Sequence, residues 1–123
     1  MEINPLGLIA ALTAFLSIWA GHVAVRKVEA QARDIRLPIF IAVALGLMIE
    51  TWSLSIANRP LSTALGILGV TLLWDAFEIT RQQNRVKHGH APANPNNPRH
   101  AKILSEYPSA TTEDLLKREP TDN

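Results

Sequence analysis

The chain has no cysteine among its 123 residues, and only 6% of it is aromatic, shared among three Trp, three Phe and one Tyr. Without cysteine there is no disulfide scaffold, thiolate metal site, thiol nucleophile or S-acyl anchor. Charge of one sign is also missing, because twelve basic and eleven acidic side chains leave a formal net charge of +1. A chain this close to balance carries no phosphate-neutralising field, which argues against nucleic acid as a partner. Catalytic signatures are scarce too. The sequence holds no Gly-x-Ser-x-Gly elbow, no phosphate-cradling glycine loop and no His-Glu-x-x-His. Nothing in it supports an enzyme, a cofactor or a metal site.

What is present is unevenly placed. The mean hydropathy of +0.07 is that of an ordinary soluble domain, but it averages two unlike stretches. Residues 1–80 hold five basic and six acidic side chains, whereas residues 81–123 hold seven basic, five acidic and five of the eight prolines. Residues 6–25 carry no formal charge, with His22 their one titratable group. At ~1.5 Å per residue, such a helix is roughly 30 Å long, one hydrocarbon core. Residues 37–57 form a second run interrupted by Glu50, and residues 60–79 a third interrupted by Asp75 and Glu78. The apolar residues surround each helix instead of forming a stripe, which points to lipid and away from a soluble bundle. The expected fold class is an all-α membrane protein. It has a three-helix transmembrane domain over residues 1–88 and a polar, largely disordered cytoplasmic tail over 89–123.

A cleaved signal peptide is not expected, since Met1-Glu2-Ile3-Asn4-Pro5 has no basic n-region. Orientation follows from the loops. The first linker contains Arg26, Lys27, Arg33 and Arg36, the second connection only Arg59, and the stretch after the third run Arg81, Arg85 and Lys87. Basic loops stay in the cytoplasm, so the N-terminus is expected outside and the C-terminus inside a bacterial inner membrane. Trp19, Trp52 and Trp74 stand near the ends of their runs as interface anchors. The pairs Gly7/Ala11, Ala42/Gly46 and Ser62/Gly66 allow close helix approach, within one chain or in self-association.

Ionisable groups inside the spans raise a functional question by default. His22 and Asp75 lie about one turn from the same end of their helices, with Glu78 a turn nearer water. A His22–Asp75 or a Lys27–Glu78 pair would satisfy both partners. Two readings stay open: neutralisation at the interface, or a proton-linked or ligand-contacting cluster. Glu50 lies well inside the second run, flanked by Ile49 and Thr51. It serves either a structural or subunit contact or, in an oligomer, a transport path. His88 and His90 form an H-x-H without the further ligands zinc wants. Residues 90–100, HAPANPNNPRH, read as an extended solvated segment, and Thr111 with Asp114 could cap a short helix bearing Leu115 and Leu116.

The segment from Gly66 to Pro98 carries a resemblance. Gly66, Gly69, Trp74, Glu78, Gln82, Arg85, Val86, Gly89, Pro92, Asn94 and Pro95, with His22, Lys27 and Glu29 upstream, resemble the pattern of small bacterial integral membrane proteins grouped as domain of unknown function 4491. The resemblance covers residues 6–98. Val23, Ala30 and His90-Ala91 depart from it, Asp75 stands where a small neutral residue is common, and Glu50 has no counterpart. It implies a three-span membrane protein with emphasis on the face holding His22, Lys27, Glu29, Asp75, Glu78 and Arg85, and it implies no activity. The expected partners are the lipid bilayer and a protein, or a second copy, reached through the membrane helices. The expected role is a non-catalytic accessory or assembly subunit; the alternative is an oligomeric proton- or ion-linked transporter using Glu50 and His22/Asp75.

Overall fold

Three apolar runs become three long helices in a computed structural model, which describes residues 2–117. They are α1 (Leu6–Gln31), α2 (Arg36–Ser55) and α3 (Arg59–Lys87), followed by a short α4 (Pro98–Glu106). Each of the first three is long and apolar enough to cross a membrane. α1 and α3 run past the apolar stretch because no glycine or proline interrupts residues 26–31 or 80–87. The starts of α3 and α4 use one device. Asn58 and Asn97 accept the backbone N–H of Leu61 and Arg99, both at 3.0 Å, and Pro60 and Pro98 occupy the first turn, where no amide is needed.

α3 is the centre of the arrangement. It packs on α1 and on α2, which hardly touch each other. Close contacts give the register. An added Cβ at Gly21 would lie 2.7 Å from the Asp75 carboxylate, and Arg99 bridges Glu29 to Gln83. Residues 21 and 29 thus face 75 and 83 with a constant offset, so α1 and α3 are parallel. On the other side Gly46 faces Leu73, Glu50 faces Gly69, and Ser62 donates to the Ser53 carbonyl at 2.8 Å. Rising numbers on α2 meet falling ones on α3, so this pair is antiparallel.

Of the small-residue positions, Gly46 belongs to a close approach, with the Gly69 carbonyl 3.0 Å from where its Cβ would be. Gly7 has no neighbour within 4 Å, and Gly66 has only the Ser53 hydroxyl at 3.9 Å. The layer is open. Within the apolar windows, 11% of α1 and 17% of α2 and α3 is buried. Trp19, Trp52 and Trp74 are all exposed on its surface.

Beyond α3 the structure corrects the expected solvated segment. Gly89 ends the helix at φ +77° in a Schellman turn, in which His90 N–H donates to Arg85 O (2.8 Å) and Gly89 N–H to Val86 O (3.2 Å). A side chain there would also collide with the Ser109 carbonyl. The chain then folds back. Ala93 and Ile103 close on Val86, with Leu104, Tyr107 and Ala110 around them, and Ala93 N–H donates to Thr111 O at 2.8 Å. Proline and asparagine, read as marks of a solvated strand, instead start α4 and supply its N-cap. Where Thr111 could cap a short helix, the chain forms a single turn at residues 115–117, with Leu116 exposed. The part of the expected disordered tail at residues 118–123 lies outside the described residues.

Candidate functional site

The end of α1 leaves backbone carbonyls without helical partners, and residues 94–99 supply donors for them. Asn94 Nδ2 donates to Ala30 O at 3.0 Å, and Asn97 Nδ2 to Ala30 O and Ala32 O, both at 2.9 Å. Arg99 Nε donates to Ala32 O at 3.1 Å, and one Nη reaches Glu29 O. The guanidinium therefore sits at the negative end of the α1 dipole, where a cation is favoured.

Its other Nη donates to Glu29 Oε1 at 2.7 Å and to Gln83 Oε1 at 2.8 Å. His100, fully buried, completes the cluster. Its Nδ1 accepts the Asn94 amide hydrogen at 2.7 Å. A ring nitrogen that accepts carries no proton, so the proton is on Nε2 and is donated to Glu29 Oε1 at 2.8 Å. Glu29 lies a turn beyond the uncharged run that ends at Val25, outside the apolar span. Burial pushes its carboxyl up. The hydrogen bonds from His100 and Arg99, with the positive charge beside it, outweigh that and hold it below the ordinary value. Among the described residues its buried Oε2 has no hydrogen-bond partner.

The Lys27–Glu78 pair does not form. Lys27 is exposed, and the buried Glu78 takes Arg81 at 2.8 Å and Arg85 at 3.2 Å from its own helix. His22 and Asp75 do share a cleft of about 360 Å³ between α1 and α3, walled by Ile18, Val25, Val70 and Trp74, with Glu78 at its end. Among the described residues no hydrogen bond joins the two. Arg81, Asn84, Arg85, His88 and His90 line a second cleft of about 390 Å³. Glu50 is elsewhere: it packs across α2–α3 against Gly69, with Oε1 buried and unpartnered. No group of three metal-ligating side chains occurs among the described residues.

A family profile described as Domain of unknown function (DUF4491) matches residues 4–97. The chain belongs to that family. No curated protein and no solved structure matches it. The DUF4491 match includes Glu29, Asn94 and Asn97 and stops at the α4 N-cap, so Arg99 and His100 lie just beyond it. The sequence reading placed Glu29 in the polar cluster and missed Asn97, Arg99 and His100. The signal was there in Asn97-Pro98, a cap followed by a first-turn proline, ahead of His100, Ile103, Leu104 and Tyr107 at helical spacing.

Proposed function

We propose that this DUF4491 member is a non-catalytic accessory or assembly subunit of a larger membrane complex. In this reading it sits in a bacterial inner membrane with its N-terminus outside and its C-terminal segment in the cytoplasm. The observation that carries the reading is the open layer. α1 and α2 flank α3 without closing on each other, and large apolar side chains such as Phe15, Phe40 and Met48 stay exposed along them. Helix association in lipid runs through small residues that let backbones approach closely, and Gly7 and Ala11 lie exposed on α1. The polar end is occupied instead by its own docked segment. Purification in mild detergent should recover a second membrane protein; recovery of this chain alone at every expression level contradicts the proposal. Because the chain lacks cysteine, single cysteines at Asn58 and Lys102 report orientation. Labelling of intact cells by an impermeant maleimide at 58 and not at 102 is the expected result.

A transporter reading has one observation in its favour, the buried Oε1 of Glu50 in α2, which has no hydrogen-bond partner among the described residues. Glu50 and His22/Asp75, however, belong to different interfaces of α3, so one copy offers them no common path. Wild-type proton or ion flux above that of empty vesicles, lost in Glu50→Gln, would favour this second reading.

A further inference from the structure

The two clefts belong to one stripe of α3. Val70, Trp74, Glu78, Arg81, Arg85 and His88 follow each other at three- and four-residue steps, which places them on one helix face. Glu78 joins the clefts, since it lines the first and its carboxylate holds Arg81 and Arg85 of the second. Chemistry changes in order along the stripe. Beside Ile18 and Val70 the wall is mainly apolar, with Thr71 next to Val70; a turn further His22 and Asp75 stand beside the apolar Val25 and Trp74, and beyond Glu78 it is basic. From Val70 to Arg85 the stripe rises about 22 Å, close to one bilayer leaflet with its headgroups, roughly 20–22 Å.

Apolar, then polar, then cation-binding is the order of acyl chain, glycerol ester and phosphate in a phospholipid. We propose that this groove holds one phospholipid. Its phosphate sits on Arg81 and Arg85, and an acyl chain lies between Ile18 and Val70. Arg81 gives Glu78 one N–H, and Arg85 gives one to Glu78 and one to Gln82. Each guanidinium has five N–H donors, so both keep free ones for phosphate oxygens. The ion pairs hold these side chains in place before the lipid arrives. His88 Nδ1 lies 2.7 Å from the Asn84 carbonyl, which fixes that ring at the rim.

The test uses the full chain, delipidated in detergent, with native mass spectrometry and thermal shift as readouts. The probes are phosphatidic acid, phosphatidylglycerol, oleate and inorganic phosphate. Both phospholipids should be retained, with oleate and inorganic phosphate at least tenfold weaker. Arg81→Gln with Arg85→Gln should weaken phospholipid binding about tenfold or more. Arg81→Lys with Arg85→Lys, which keeps a cation at each position beside Glu78, should recover much of that loss. Ile18→Trp, which fills the apolar end, should weaken retention of both lipids. Oleate held as firmly as phosphatidic acid would overturn the proposal in favour of a general anionic surface. Inorganic phosphate bound as tightly as lipid would overturn it in favour of a soluble-phosphate site. Undiminished lipid binding in a folded Arg81→Gln/Arg85→Gln chain, or in a folded Ile18→Trp chain, would also overturn it.

Discussion

Nε2 of His100 donates to the carboxylate of Glu29 at 2.8 Å across 71 residues of sequence, and both side chains are buried. This contact, with Arg99 beside it, ties the segment after α3 to the end of α1. Because α4 follows α3 through the Schellman turn, it also ties α1 to α3 outside the apolar span.

Glu29→Ala, which leaves Arg99 without its counter-charge, should destabilise the docked segment by about 3 kcal/mol. His100→Ala, which removes one hydrogen bond to the carboxylate and leaves Arg99 on it, should cost about 1.5–3 kcal/mol. Limited proteolysis reads this as faster cleavage between residues 90 and 106, with the three apolar helices intact.

Acid should have the same effect. The Glu29 carboxyl in the folded chain titrates below the usual 4.5. Its contribution is therefore fully present above pH 4.5 and is lost as pH falls through the lower folded-state value. Protease resistance of residues 90–106 should fall as pH drops below about 4.5. Glu29→Gln should flatten that dependence.

Gly89 is required twice, by its φ of +77° and by the Ser109 carbonyl against its Cα. Gly89→Ala should cost at least ~1–2 kcal/mol for the left-handed backbone alone. Loss of the fold-back from Ala93 to Thr111, seen by amide exchange with helix content nearly unchanged, is the expected outcome.

The α2–α3 contact separates two glycines that look alike in sequence. A Cβ at Gly46 meets Leu73 at 2.8 Å and the Gly69 backbone at 3.0 Å, while one at Gly69 meets the flexible carboxylate arm of Glu50 from 2.7 Å. Gly46→Ala should lower stability in detergent by roughly 1–3 kcal/mol. Gly69→Ala should lower it less, and Glu50→Ala should relieve that loss, giving a non-additive double-mutant cycle. Equal, additive costs at the two glycines would contradict this geometry.

The spans were legible because lipid imposes a local rule. A charge-free or nearly charge-free run of the right length must become a helix, and the runs beginning at Leu6, Leu37 and Pro60 start within one residue of α1, α2 and α3. The end of α1 was less legible, because α1 extends to Gln31 on polar residues that hydropathy cannot separate from loop, whereas Gly89, the first breaker after Arg81, marks where α3 stops. The docked segment was read wrongly for a physical reason. Asn94, Asn97 and Arg99 are satisfied by carbonyls of Glu29, Ala30 and Ala32 more than sixty positions away, and a local reading assigns those groups to water. His22 and Asp75, read at similar depth, line one cleft without a hydrogen bond between them, and Glu78 takes Arg81 and Arg85 from its own helix instead of Lys27.

Residue-resolved amide exchange on the intact chain tests the docked segment most directly. The N–H groups of Ala93, Ala101 and Tyr107 donate to Thr111, Asn97 and Ile103 and should exchange slowly. All three should lose protection together in His100→Ala. Fast exchange at these amides in the unmutated chain, or protection unaffected by His100→Ala, would contradict the account.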